Sequence, residues 1–379
     1  MPTLPLPFDV ESKAVMKRTV LARGALAEMK GVALSIPNEK ILINTLSLQE
    51  ARDSSAIENI ITTQDELFQS DFYRRSFRTV ATKEVYSYAN ALLIGFKEMK
   101  KHNLLTVNHI IAVQSLLEGN RAGFRKLPGT ELKNDRTGEV VYTPPQHPDD
   151  IVRLMSNLER FINDDAVSDL DPLVKMAIMH HQFESIHPFY DGNGRTGRII
   201  NILYLVKEGL LDMPILYMSR YINQNKGTYY ALLQSVRKEN AWEAWILFVL
   251  EGIEQTSRHT LNIIQGIKRL MLLQKNKIRN ALPKIYSQDL LNNIFEHPYT
   301  KIDYMMGSLG VSRNTAIKYL NELVKIGVLA KAKLWKENYY VNKDLYDFLA
   351  SVTEKYPLQS ESHAKSGYEG VVTTRKAHF

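Results

Sequence analysis

Residues 187–198 read His-Pro-Phe-Tyr-Asp-Gly-Asn-Gly-Arg-Thr-Gly-Arg, which puts an imidazole, a carboxylate, a glycine-flanked amide and two guanidiniums in one short stretch. Histidine at position 187 is the residue type whose ordinary titration lies near neutrality, so it can take a proton from a hydroxyl. Asp191 offers hard oxygen of the kind that holds Mg²⁺ across phosphates. Gly192 and Gly194 let the backbone approach a phosphate closely and form a concave nest of N–H groups. Arg195 and Arg198 are three apart, share a helix face, and can reach phosphate oxygens with planar forks. The set suits a loop that holds a polyphosphate and its metal while a base works beside it.

Such a loop needs helices on both sides. Residues 172–186 carry helical apolar spacing at Leu173, Met176, Ala177, Met179, Phe183 and Ile186, with Pro172 suited to a first turn. Pro188 disfavours helical geometry at His187, so the helix is predicted to stop there and turn the imidazole out at its end. Helical spacing resumes from Arg195 through Ile199, Ile202, Leu203 and Leu205. Gly192-Asn193-Gly194 is thereby placed at a helix N-terminus, where free N–H groups and the helix dipole favour an anion.

The string fills every fixed position of the pattern His-x-Phe-x-Asp/Glu-Gly-Asn-Gly-Arg-x-x-Arg, and in this the chain resembles the Fic family of nucleotidyl, mostly adenylyl, transferases. The resemblance implies an all-helical core and transfer of AMP from ATP to a Ser, Thr or Tyr hydroxyl of a protein, a separate target or the chain itself, with release of pyrophosphate. Carried over by position, His187 would be the general base and Asp191 the Mg²⁺ ligand. Asn193 and the amides of Gly192 and Gly194 would hold the α- and β-phosphates. Arg195 would contact phosphate, Arg198 would hold the γ-phosphate, and Thr196 and Gly197 complete the nucleotide-binding stretch. Phe189 would anchor the loop in the core. Catalysis of in-line attack on the α-phosphate is mainly positioning and charge stabilisation.

Far upstream, Ser54-Ser55-Ala56-Ile57-Glu58-Asn59 lies in a stretch expected to be helical from about 39 to 68, with Ser54 and Glu58 on one face. It is similar to the family's inhibitory motif, Ser/Thr-x-x-x-Glu-Gly/Asn. The resemblance implies a Glu58–Arg198 ion pair that removes the arginine from the γ-phosphate and misplaces the nucleotide. In residues 123–145, short extended segments flank Asp135-Arg136-Thr137-Gly138 and read as a β-hairpin. It matches the position of the family's flap, which pairs with target backbone by strand addition. Past the motif, Gln224 and Tyr229 are the residues expected at adenine, an amide for its edge and a ring for its face. His180 and His181 are adjacent and point to different helix faces, so packing is expected of them rather than zinc.

The whole chain, 379 residues with a formal charge of +7, can hold more than one domain, and its mild charge does not by itself specify nucleic acid. Zero cysteines exclude disulfides, thiol catalysis and Cys-ligated zinc, and with no signal peptide or membrane-length apolar run the expected location is cytoplasmic. The expected fold is mainly α: a helical N-terminal region (1–100) with the inhibitory helix, a catalytic core (101–278) with the hairpin, and a winged helix-turn-helix (281–355). A mobile tail is expected over 356–379. From Ser312 the winged region carries Arg313, Lys318, Lys325, Lys331, Lys333 and Lys336 against the single acid Glu322, a surface for DNA phosphates or for a protein partner. Alternative roles are a DNA-binding regulator whose core senses ATP, and an enzyme that removes AMP from protein with Glu58 positioning water. A homodimer that tunes Glu58 is a further expectation.

Overall fold

The computed structural model describes residues 2–63, 66, 79–134, 137–334, 337–354 and 372–373. Ten helices build the body among these residues: α1 (Lys13–Ala33), α2 (Glu39–Ile57), α3 (Val80–His102), α4 (Val107–Glu118), α5 (Pro148–Asn163), α6 (Pro172–Ile186), α7 (Asn193–Lys207), α8 (Met218–Gln224), α9 (Lys226–Glu239) and α10 (Trp242–Ala281). Between α4 and α5 stands the hairpin β1 (Leu132–Asn134) and β2 (Val140–Tyr142), antiparallel with Leu132 opposite Tyr142. Its strands are three residues each, and the expected turn residues Asp135 and Arg136 lie outside the described residues.

The helices that bracket the motif form the centre of the body. Every residue of α6 after Pro172 is buried, and α7 is nearly as enclosed, polar residues such as His180, Glu184, Arg195 and Arg198 included. Trp245 of α10, wholly buried, donates its indole N–H to the Ala177 carbonyl of α6 at 2.8 Å. The predicted stop of α6 is realised: His187 adopts φ 49°, ψ 59°, and its N–H closes the last turn on Phe183 O at 2.9 Å. Gly192, at φ 76°, makes the turn that starts α7. His180 and His181 pack as expected, with Nε2 of His180 2.9 Å from the Tyr229 hydroxyl and His181 edge-on to Trp242.

Helix α2 corrects an expected boundary. It ends at Ile57 rather than running to 68, and of the expected continuation only 66 among residues 64–68 is described. Asn59 enters the left-handed region at φ 62°, its N–H bonding Ala56 O and that of Ile60 bonding Ser55 O, each at 3.0 Å. That pair of bonds is the Schellman arrangement, which stops a helix at a residue tolerant of positive φ. Glu58 is therefore the C-cap, at the tip of α2 rather than on its side.

The 40-residue α10 runs unbroken through residue 278, where the catalytic core was expected to end, and α3 likewise passes residue 100. Beyond α10 come α11 (Gln288–Glu296), β3 (Tyr299–Thr300), α12 (Ile302–Leu309), α13 (Arg313–Lys325), β4 (Ala330–Leu334) and β5 (Glu337–Val341). Three helices and two strands lie in the order expected from the sequence, and β3 joins the strands to give the sheet order β3-β5-β4. A last helix, α14 (Lys343–Glu354), returns to pack on α10 through Phe348 against Gly266. This region also touches α2: Asn38 Nδ2 donates to Glu296 Oε1 at 2.8 Å, and Asn44 Nδ2 lies 3.2 Å from His297 Nε2. Of the expected tail, 356–379, only β6 (Val372–Thr373) is described, antiparallel to the outer edge of β1. No described helix is long and apolar enough to cross a membrane.

Candidate active site

The loop from His187 to Gly192 is held by bonds from both sides. Asn193 Oδ1 accepts the Phe189 N–H at 2.9 Å, and its Nδ2 returns a bond to Phe189 O at 2.8 Å. Phe189 is wholly buried between Phe124 and Phe183, the anchor that the family pattern implies. Arg125, not singled out by the sequence, donates Nε to His187 O at 2.9 Å and its Nη2 to the carbonyls of Pro145 and Ile186. Its own N–H bonds Pro188 O, and the Tyr190 hydroxyl accepts from Lys126 N and Leu127 N. The strained left-handed backbone at His187 is thus fixed by its neighbours.

Asn193 departs from its expected role. With both ends of its amide on Phe189, the side chain closes the loop, and what it leaves for a phosphate is its backbone N–H. The first N–H groups of α7, at Asn193, Gly194 and Arg195, precede the first intrahelical bond, from Thr196 N to Gly192 O at 2.9 Å. Unspent N–H groups at a helix start are of the kind that favour an anion. Thr196 and Gly197, also expected at the nucleotide, instead face the core. Thr196 is wholly buried, and a Cβ on Gly197 would sit 2.7 Å from Glu184 Oε1.

A cavity of about 240 Å³ lies over this helix end, walled by Glu58, Glu84, Glu118, Glu184, His187, Asp191, residues 192–195 and Arg198. The far wall is Tyr229, Tyr230, Leu233, Gln234 and Arg237 of α9, with Leu132 of β1 above. Tyr229, expected at adenine, lines this wall. Gln224 is exposed at the end of α8 and is not part of this wall; the helical spacing Tyr230-Gln234-Arg237 was the signal that would have found the right face.

His187 is buried, and neither ring nitrogen has a hydrogen-bond partner among the described residues. Burial, then the charges of Arg237 and Arg125, push its pKa down to about 3, so the ring is neutral near pH 7 and able to accept a proton. Arg237 also fixes the hairpin. Its guanidinium lies 3.8 Å over the Tyr142 ring and its Nε donates to Ser185 Oγ at 3.0 Å, while the Tyr142 hydroxyl donates to Ser185 O at 3.0 Å. Strand β2 is thereby pinned two residues before His187.

The two arginines are engaged by acids. Glu58 Oε1 accepts from Arg198 Nη2 at 2.8 Å, and Oε2 forms an ion pair with Arg195 at 2.9 Å from Nε, without hydrogen-bond alignment. Arg198 is further bound by Ser54 through Oγ at 2.7 Å and through the backbone carbonyl at 3.1 Å. Arg195 Nη1 meets Glu84 at 3.1 Å and Nη2 meets Glu118 at 2.8 Å. Sequence reasoning placed Glu58 on Arg198 alone and missed Glu84 and Glu118. Burial pushes Glu118 and Glu184 up to about 7, against the pull of the arginines. Asp191, half-buried on the wall, uses Oδ1 for the Gly192 N–H at 2.8 Å. A single hard carboxylate beside a phosphate cradle is a donor set that fits Mg²⁺, which usually takes its other ligands from phosphate and water.

A helix N-terminus, two arginines behind it and a neutral histidine in front are groups able to hold phosphates and accept a proton. The chain carries domains of the Fic/DOC family. Residues 104–205 match the Fic/DOC family model, residues 16–97 the Fic/DOC family N-terminal model, and residues 270–345 the model of the protein adenylyltransferase SoFic-like C-terminal domain. Similar proteins include protein adenylyltransferase Fic of Drosophila erecta, 29% identical over 162 residues, which are 42% of this chain and 31% of that protein. Protein adenylyltransferase fic-1 of Caenorhabditis briggsae is 28% identical over 184 residues, 46% of this chain and 35% of that protein. The chain thus spans about a third of the length of the curated relatives it matches. Among solved structures, a Fic family protein from Desulfovibrio desulfuricans G20 superposes with TM-score 0.55 at 19% identity, covering 89% of this chain and 98% of its own. Fic-1 of C. elegans gives 0.51 at 17%, covering 66% and 73%. These two likenesses bear on the fold.

Proposed function

We propose that the chain is an ATP-dependent protein adenylyltransferase held in check by Glu58. The observation that carries this reading is the neutral, unpartnered imidazole of His187 beside an anion-binding helix end backed by Arg195 and Arg198. A Ser, Thr or Tyr hydroxyl oxygen attacks the α-phosphorus of ATP in line as its proton passes to His187. The bond from that phosphorus to the bridging oxygen breaks, and pyrophosphate leaves with the electron pair. The N–H groups at the start of α7 and the two arginine forks stabilise charge on the phosphates. Mg²⁺ held at Asp191 would neutralise phosphate charge and orient the leaving group. Tyr230, Leu233, Gln234 and Arg237 line the side of the cavity left for the base.

The target strand adds to the outer edge of β1. That edge takes an antiparallel partner, Val372–Thr373, at Lys133 and Asn134, so a target strand would pair there by displacing that segment. As the site stands, five carboxyl groups (Glu58, Glu84, Glu118, Glu184, Asp191) face three arginines (Arg195, Arg198, Arg237). A polyphosphate enters well only after Glu58 leaves, which supports the inhibitory role. The test is label transfer from α-labelled ATP with Mg²⁺ to protein. Transfer that rises in Glu58→Gly and vanishes when His187→Ala is added supports the reading; nucleotide bound without label in any variant overturns it.

A second partner, DNA, is supported at the C-terminal region by the exposed side chains of Arg313, Lys318, Lys325, Lys331 and Lys333 around α13 and β4. Ser312 caps α13 at the end that would meet base edges or phosphates. Two of these cations are already paired, Arg313 with Asp303 and Lys325 with Glu322, each exposed enough for water to screen it. Salt-dependent retardation of duplex DNA by the full chain would support this; no retardation at low salt would remove it.

A further inference from the structure

Arg195 and Arg198 lie one turn apart on α7 but are held in different ways. Every hydrogen-bond and ion-pair partner of Arg198 among the described residues is on α2 or its cap: Ser54 Oγ, Ser54 O and Glu58. Two of the three partners of Arg195 lie elsewhere, Glu84 in the first turns of α3 and Glu118 at the end of α4. The three carboxylates take three different nitrogens, Nε to Glu58, Nη1 to Glu84 and Nη2 to Glu118. The arginine side chain is only 4% exposed, so it has no solvent to swing into. Helices α3 and α4 pack on α7 and on each other, and α3 also packs on the body of α2.

We propose that Glu84 and Glu118 are positioning residues for Arg195, holding its guanidinium in place so that Glu58 acts as a removable cap on its Nε edge. When Glu58 withdraws, Arg198 loses the carboxylate end of its clamp, whereas Arg195 keeps two partners and exposes one oriented edge to the nucleotide phosphates. The inference rests on the nucleotide-site reading above but not on group transfer. Glu118 also packs against the loop itself: a Cβ on Gly192 would fall 2.5 Å from its Oε1. The carboxylate thus braces the anion-binding turn and the arginine together.

A competing account makes opposite predictions. If Glu84 and Glu118 act on a polyphosphate only as nearby negative charge, removing either charge tightens nucleotide binding whatever replaces it. If they position Arg195, glutamine keeps an acceptor for the guanidinium while alanine does not. The experiment is equilibrium binding of a non-hydrolysable ATP analogue with Mg²⁺ to full-length Glu58→Gly protein, alone and with Glu118→Gln, Glu118→Ala, Glu84→Gln or Glu84→Ala. Thermal melting of each variant checks that it is folded. Positioning predicts that the glutamine forms bind as well as the parent or better, and that the alanine forms bind about tenfold more weakly. Equal tightening by glutamine and alanine, or no change in any variant, overturns it. If a glutamine form fails to fold, the carboxylates are structural and the proposal also falls. Because binding is read without label transfer, an inactive Glu58→Gly protein would defeat the transferase reading while leaving this test intact.

Discussion

Glu58 Oε1 lies 2.8 Å from Arg198 Nη2, and the same carboxylate reaches Arg195 with its other oxygen. One acid thus covers both arginine forks that a bound nucleotide would need. Glu58→Gly is expected to raise AMP transfer about 5- to 150-fold, the usual range for a coupling of this kind. Initial rates with α-labelled ATP measure it, and a rate equal to wild type would show that the contact is not inhibitory.

Ser54 is the lesser half of the clamp. Ser54→Ala removes the hydroxyl that accepts from Arg198 Nε at 2.7 Å, but leaves the Ser54 carbonyl and Glu58 in place. Its activity should therefore fall between wild type and Glu58→Gly. A rate above that of Glu58→Gly would mean that Ser54, not Glu58, dominates.

His187→Ala in the Glu58→Gly background should lower transfer by about 10²–10⁴, the value of a positioned general base. Nucleotide binding should persist, because the helix N-terminus and the arginines are untouched. Chelation of Mg²⁺ should abolish transfer in the same assay without unfolding the protein, as read by circular dichroism.

The pH dependence of stability has opposing parts. His180, His181 and His187 are each pushed down to about 3 by burial, so they favour the fold fully above their unfolded value near 6.5, and this is lost as pH falls towards 3. Glu50, Glu118 and Glu184 are each raised to about 7, so their contribution is full below about 4.5 and lost as pH rises through 7. His259, pushed down to about 4 by burial, joins the histidine set, so between about 4.5 and 6.5 four histidines outweigh three glutamates, and below 4.5 the histidines act without that opposition. Melting temperature should fall gently as pH drops over the first window and more steeply from pH 4.5 to 3. Replacing His180 by Gln should soften that drop; an unchanged acid limb would show that His180 does not contribute to it.

Gly192 combines φ 76° with the Glu118 carboxylate where a Cβ would go. Gly192→Ala should cost about 1–2 kcal/mol from the left-handed backbone alone. Denaturant titration of this variant against Gly209→Ala, which has the same sign of φ but open space at its Cβ, separates backbone strain from the clash.

Much of the site was legible because its signals are local. Pro188 ends one helix, the glycines begin the next, and Arg195 and Arg198 fall on one face because a helix repeats every 3.6 residues. The inhibitory segment was legible only by resemblance. Its physical basis is Asn59, whose tolerance of positive φ stops α2 and leaves Glu58 at the tip. Gln224 was misjudged because amide chemistry was weighed without knowing which face of its helix looked inward.

What the sequence by itself determined is therefore the loop, its flanking helices, the hairpin and the histidine proposed as base, each written within a few turns of chain. Only the tertiary structure decided how the arginines are held. Glu58, Glu84, Glu118 and Arg195 are separated by tens of residues and come from four different elements, so no periodicity links them. Their meeting follows from α3 and α4 packing against α7 in one buried core, where a charged fork must find partners because water is excluded.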